Sequence, residues 1–315
     1  MRVLITGALG HIGSRLIRDI PGFFRHPEIR MVDNMSTQRY SSLMNLPDTA
    51  SYRFVEADVL EADLVPIVSG VDAVIHLAAI TDAAGSFDIR EKVEHVNFNA
   101  TRRVAEACVG AEVPMIHLSS TSVYGTQEAE VDEECTEEEL KPQSPYAETK
   151  LREERLLQEL GRERGLRFIT CRFGTIAGVS PGMRFHTAVN KFCWQAVFGQ
   201  PVTVWRTALH QRRPYLDLSD AARAVAFILE KGLFDGRVYN VLTDNLTVNE
   251  ILDFVRKDIP DLTITYVDTR IMNQLSYHVK NDRFKTAGFS FHGSIGTCIG
   301  DTIRLLKNAG GRHDR

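Results

Sequence analysis

The chain of 315 residues contains no run approaching the roughly eighteen consecutive apolar residues of a membrane span, so no segment reads as one. Cysteine is scarce and scattered. Cys108, Cys135, Cys171, Cys193 and Cys298 are odd in number and never fall in C-x-x-C spacing. That argues against a disulfide framework or a structural zinc site, and for reduced, mostly buried thiols. Neither charge sign dominates. Lys and Arg number 37 against 41 Asp and Glu, a formal net charge of −4 with no strongly basic block, which argues against nucleic acid as the main partner. Met1–Gly7 is too short an apolar stretch for a signal peptide and runs straight into a glycine-rich turn, so a cytoplasmic location is expected. Internal repeats and low-complexity tracts are absent. His11 and His76 have no partner histidine or carboxylate at ligand spacing, so no metal is expected. The single charge run, Glu128 to Glu139, reads as a solvated lid or surface loop.

What is present is an ordinary globular composition, 43% apolar and 25% charged, and an alternating pattern. Short β-branched runs at 3–6, 29–33, 52–55, 73–77, 114–119 and 167–173 alternate with helical spacing at 11–20, 64–68, 91–108 and 146–164. This predicts βαβ units, hence a Rossmann-type, doubly wound parallel sheet of the α/β class. Residues 1–174 are expected to form the dinucleotide-binding part, with later segments returning to it. Residues 175–315, where the pattern loosens, are expected to be mainly a smaller substrate-binding region. There, 188–198 and 220–231 read as helices, and 202–205, 214–216 and 238–241 as strands. Thr247 followed by Glu250 predicts a capping box opening a further helix.

Gly7-Ala8-Leu9-Gly10-His11-Ile12-Gly13 follows the first strand and opens the first helix. Glycines at this spacing permit a tight turn and let backbone N–H groups approach a pyrophosphate at the helix N-terminus. Asp33 ends the second strand, 20 residues past Gly13. Its carboxylate suits the adenosine ribose hydroxyls and would repel a 2′-phosphate. No basic residue occupies positions 34–38, which favours NAD over NADP.

Tyr146 and Lys150 stand four apart at the start of a helix and so project from one face. An ammonium near a phenol stabilises the phenolate, which predicts a lowered Tyr146 pKa and a usable general base. Ser120, just past the fifth strand, can hold a substrate oxygen beside that phenol.

At this point the chain resembles a known family, the extended short-chain dehydrogenase/reductases of the nucleotide-sugar epimerase/dehydratase group. The likeness to UDP-glucose 4-epimerase-type members rests on several segments in order. They are Thr6–Gly13, Val32-Asp33-Asn34, Ala57-Asp58-Val59, His76–Ala79, Asn97 ahead of Ala100-Thr101, Ser119–Gly125, Ser144–Lys150 and Arg213–Asp220. The resemblance implies cofactor contacts at Gly7, Gly10, His11, Ile12, Gly13, Asp33, Asn34, Ser36, Asp58, Val59, Leu77, Ala78, Ala79, Asn97, Phe173, Tyr146 and Lys150. Of these, Asp58 and Val59 would touch the adenine and Lys150 the nicotinamide ribose. It further implies substrate contacts at Ser120, Thr121 and Thr175, with Arg213 and Arg270 on the diphosphate. A homodimer through a four-helix interface is also implied, and the helices at 91–108 and 146–164 carry apolar stripes that include Val104, Leu156, Leu157 and Leu160. The chain departs from the family pattern at Thr175, where Asn is common, at Asn99, where Gly is usual, and over His186 to Lys191.

The expected activity is therefore C4 epimerisation of a nucleotide-diphosphate sugar with bound NAD. Ser120, Tyr146 and Lys150 would be catalytic, through a transient 4-keto sugar. A 4,6-dehydratase is less well matched: in dehydratases of this group an Asp-Glu pair follows the catalytic Ser/Thr, and here those positions are Thr121 and Ser122. A 4-ketoreductase usually draws on NADPH, which Asp33 disfavours. A non-catalytic NAD-sensing regulator on the same fold would tend to have lost the Tyr or the Lys, and both are present.

Overall fold

The computed structural model describes residues 1–81, 85–125, 130–268 and 276–309. In chain order the first half comprises β1 (Arg2–Thr6), α1 (His11–Phe23), β2 (Glu28–Asp33), β3 (Ser51–Glu56), α2 (Val65–Val68), β4 (Ala73–His76), α3 (Arg90–Ala111) and β5 (Met115–Ser120). β6 (Glu130–Val131), α4 (Pro145–Arg164), β7 (Phe168–Phe173), β8 (Thr175–Ala177), α5 (Ala188–Val197), β9 (Val202–Trp205), β10 (Arg212–Asp217) and α6 (Leu218–Lys231) follow. The chain continues through β11 (Val238–Val241), β12 (Asp244–Thr247), α7 (Val248–Asp258), β13 (Ile264–Val267), β14 (His278–Val279), α8 (Asp282–Thr286) and α9 (Ile295–Ala309).

Seven strands form one sheet in the order β11-β7-β5-β4-β1-β2-β3, and every pair in it is parallel. A parallel sheet must be covered on both faces, which is why the inner strands β1 and β4 read as near-continuous apolar runs. Alternate side chains serve the two covers. Val3, Ile5, Ile29, Met31, Ile75 and Ile116 pack with Leu16, Ile17 and Ile20 of α1 and Val225 and Ile228 of α6. Leu4, Val32, Val74 and Met115 pack on the other face with Val104 and Cys108 of α3 and Leu157 and Leu160 of α4. Each such fully buried aliphatic side chain contributes about 1.5–3 kcal/mol.

That packing corrects one expectation. Val104, Leu157 and Leu160 are buried against the sheet, and Leu156 packs beside them, so these residues are not a free stripe for a second subunit. The outer surfaces of α3 and α4 carry ion pairs instead, Arg90–Glu148 at 2.7 Å and Arg152–Glu94, with Arg152 over the Phe98 ring.

Beyond β7 the chain builds a second cluster from α5, α7, α9, β9 and β13, centred on Val189, Phe192, Val202, Ile251, Leu252 and Ile299. The expected capping box is formed: Glu250 N donates to Thr247 Oγ1 at 3.2 Å and Thr247 N donates to Glu250 Oε2 at 2.7 Å. β12, β13, β14, α8 and α9 were not legible in the sequence pattern. All five cysteines are free, four of them buried and Cys135 half-buried. Among the described residues no helix is long and apolar enough to cross a membrane, and no group of three His, Cys, Asp or Glu could hold a metal.

Candidate active site

The site lies at the C-terminal ends of β1, β4 and β5, where open α/β sheets bind their ligands. A cleft of about 600 Å³ opens there, joined to a pocket of about 130 Å³ through shared walls at Gly7, Gly10, Leu77, Ala79 and Arg184.

The glycine loop is built by close backbone approach. Gly7 has φ +66°, and a Cβ on it would sit 2.7 Å from Ala78 N; one on Gly13 would sit 2.6 Å from Ala8 O. Neither position tolerates a side chain without backbone movement. Gly10 is different. It caps α1 with no side-chain hydrogen bond, and a Cβ on it would stand 3.3 Å from Gly7 O and 3.9 Å from Arg39 Nη1. That guanidinium atom is buried without a hydrogen-bond partner. A helix N-terminus with no side-chain cap and a guanidinium nitrogen of Arg39 buried without a hydrogen bond together fit a dinucleotide pyrophosphate.

Asp33 takes up two backbone N–H groups, from Leu9 to Oδ2 at 3.1 Å and from Met35 to Oδ1 at 3.0 Å. It therefore ties the glycine loop to the end of β2 and shares the smaller pocket with Asn34, Ser36, Asp58, Val59 and Ala78. Arg39 is in the same pocket, one position beyond the residues 34–38 that carry no basic side chain. Asp33→Ala is expected to weaken NAD and to narrow its advantage over NADP, set at tenfold or more in the wild type. Calorimetry with both cofactors checks this, and equal wild-type affinities overturn it.

The larger cleft is lined by His11, Ile12, Leu77, Ser120, Thr121, Tyr146, Lys150, Phe173, Thr175 and Arg213, all among the expected site residues, and by Ser122, Arg184, His186, Lys191, Trp205 and Tyr277, which the expected set did not include. One expected residue is placed otherwise. Asn97 lines neither space: its side chain accepts from Ile80 N at 2.8 Å and donates to Ile80 O at 2.9 Å, so it braces the segment after β4. Arg270 lies outside the described residues. His11 Nε2 donates to Gly178 O at 2.9 Å, and burial holds the imidazole down at about 4, so it stands neutral. His76 is buried with Nδ1 against Thr6 Oγ1 at 2.7 Å.

Ser144 Oγ caps α4 by accepting from Ala147 N at 3.2 Å, with Pro145 at the first turn. This cap sets Tyr146 and Lys150 on the face toward the cleft, with Nζ 6.0 Å from the phenol ring centre. Ser120 Oγ accepts from Ser122 N at 3.2 Å and from Ser122 Oγ at 2.9 Å, so its own proton remains for another acceptor. The expected lowering of the Tyr146 pKa is not seen. Burial pushes the phenol above its ordinary value; Lys150 and Arg184 pull it down, Glu153 pushes it up, and burial wins. Lys150 Nζ donates to Glu153 Oε2 at 2.9 Å; burial lowers the ammonium pKa, and Glu153 with Tyr146 and Glu154 together outweigh it and raise the value.

Ser120, Tyr146 and Lys150 converge on a cleft shared with a glycine loop, under the edge of a parallel sheet. That arrangement suits a bound dinucleotide beside a group able to move a proton at an alcohol carbon. The chain belongs to the NAD dependent epimerase/dehydratase family, matched over residues 3–241. It is 32% identical over 310 residues to a trifunctional UDP-glucose 4,6-dehydratase/UDP-4-keto-6-deoxy-D-glucose 3,5-epimerase/UDP-4-keto-L-rhamnose-reductase of Arabidopsis thaliana, covering 91% of this chain and 44% of the plant protein. The chain thus spans less than half the length of that relative. It is 30% identical over 250 residues to the uncharacterized UDP-glucose epimerase YtcB of Bacillus subtilis, covering 76% of each. The fold is that of UDP-glucuronic acid 4-epimerase from Bacillus cereus, solved with UDP-glucuronic acid and NAD, at a TM-score of 0.88, 23% identity and coverage of 98% of this chain and 100% of that one.

Proposed function

We propose that the chain is a C4 epimerase of a nucleotide-diphosphate sugar. The observation that carries this reading is the chemistry of the cleft wall. Among its described lining residues there is no Asp or Glu, while Lys150, Arg184, Lys191 and Arg213 supply positive charge. Elimination of water needs an acid/base pair beside the reacting carbons, and the two positions after Ser120 are the hydroxyls Thr121 and Ser122. Epimerisation needs no such pair.

In this reading Tyr146 Oη accepts the proton of the sugar 4-hydroxyl, held by the free Ser120 proton, and returns it after the ketose has turned over. NAD, held by the glycine loop at Gly7, Gly10 and Gly13 and by Lys150, would supply the hydride chemistry at C4. Lys150 holds the cofactor ribose. Arg213, whose guanidinium lies 5.3 Å from the Tyr277 ring centre, presents a planar fork to the diphosphate, with Arg270 as a second contact. Residues 1–174, with returning segments, hold the cofactor and 175–315 mainly the sugar nucleotide.

The test is a scan of UDP-, dTDP- and GDP-sugars with NAD, read by chromatography and mass. A product of unchanged mass at the C4 epimer position is expected; a product lighter by one water makes the chain a dehydratase. Light scattering is expected to give a homodimer, contacting through the ion-paired outer faces of α3 and α4, and a concentration-independent monomer overturns that assembly.

A further inference from the structure

Behind the catalytic face of α4 sits a buried charge that the reaction does not require. Glu153 has no exposed surface, and Lys150 is 4% exposed. Both Lys150 Nζ, at 2.9 Å, and His117 Nε2, at 2.8 Å, donate to the same oxygen, Glu153 Oε2. Glu153 Oε1 and His117 Nδ1 are buried without hydrogen-bond partners. Burial lowers the His117 pKa, so the imidazole is neutral and carries its proton on Nε2. The trio therefore sums to zero charge.

The other charged or titratable groups facing this point are few. Glu154, also on α4, is engaged by Arg172 at 2.7 and 3.0 Å and by Ser119. His76 on β4 is buried and held near 3, hence neutral. Arg184, hydrogen-bonded to Thr81, acts on Tyr146 only through its field. The group that offsets the field of Lys150 at the phenol is thus Glu153.

We propose that Glu153 is a positioning residue: it holds the Lys150 ammonium by a short hydrogen bond and cancels most of its pull on Tyr146, so that the phenol keeps its proton until further positive charge enters the cleft. The nicotinamide ring is cationic when oxidised and neutral when reduced. With the Lys150 charge offset, the proton affinity of Tyr146 follows the charge of the bound cofactor instead of being fixed by the lysine. The inference rests on Tyr146 and Lys150 being the acid/base pair of the proposed function.

The test reads tyrosinate absorbance against pH in the cofactor-free protein, as the difference between each protein and its Tyr146→Phe counterpart. This isolates one phenol and needs no turnover, so it can fail or succeed whatever the substrate proves to be. Glu153→Gln is expected to lower the midpoint by about one pH unit or more, and to shift the rising limb of the turnover profile the same way. A merely structural glutamate would leave both in place, and an unchanged midpoint overturns the proposal. If Glu153→Gln does not fold, Glu153→Asp withdraws the carboxylate by one methylene. A smaller downward shift is expected there, and none overturns it. In the wild type, oxidised NAD is expected to lower the midpoint and the reduced form to leave it in place; equal effects from the two also overturn it.

Discussion

Replacing Tyr146 with Phe is expected to lower turnover by about 10² to 10⁴, the usual worth of a positioned general base. The change removes one oxygen and keeps the ring. The α4 start is fixed by Ser144 and Pro145, which are untouched, so the fold is expected to stand and NAD affinity to stay within a few-fold. The pH profile discriminates further. The phenol stands above its ordinary value in the cofactor-free cleft because burial outweighs Lys150, so the wild-type rate is expected to rise with pH until Tyr146 ionises. The Phe variant is expected to lose that limb together with the rate. Single-turnover measurement of reduced cofactor formation, alongside product analysis, checks both points. Near-normal turnover with NAD bound would sink the assignment of Tyr146 as the base.

The parts of this molecule that were legible in the sequence share a local cause. β1 and β4 are buried on both faces, so their apolar runs are continuous, and the helices that pack on them show a single apolar stripe. Gly7, Gly10 and Gly13 are spaced by the turn they make, and Tyr146 and Lys150 by the helix they share. What was missed depends on contacts between distant segments. β13 pairs with β9 some sixty residues earlier, and β14 with β6, and neither short strand has a period of its own. Arg184 faces the cleft only because its loop crosses above α1, where Gly182 N donates to Ser14 Oγ at 2.9 Å. The Tyr146 titration was read with the wrong sign because Lys150 is visible at i+4, whereas the burial that opposes it is a property of the packed site. Glu153 and Arg39 had weak signals. The first stands three residues past Lys150 on the same helix, and the second one residue past the stretch searched for a cation.

Lys150→Met is expected to do more than slow the reaction. In the wild type the ammonium and the Glu153 carboxylate are buried together, and Lys150 with His117 holds that carboxyl down at about 2 against the opposing effect of burial. Methionine fills most of the lysine volume but leaves Glu153 a buried anion with only His117 as donor. Breaking one side of a buried pair costs on the order of 3–5 kcal/mol, to be read as a fall in unfolding free energy at neutral pH by urea or heat. The pH dependence has a definite sign. A carboxyl held below its ordinary 4.5 stabilises the fold above that value, and the contribution is lost as pH falls toward 2. Without Lys150, the carboxyl titrates at higher pH and protonation relieves its burial. The stability gap between wild type and variant is therefore expected to narrow as the pH is lowered from 7 to about 3. Adding Glu153→Gln to Lys150→Met is expected to recover most of the lost stability, because no charge is then buried alone, but none of the turnover. NAD affinity is expected to fall in both variants, since the ribose contact goes with the lysine. Equal stability of wild type and Lys150→Met at neutral pH would show that the Lys150–Glu153 pair is not the buried, mutually dependent unit described here.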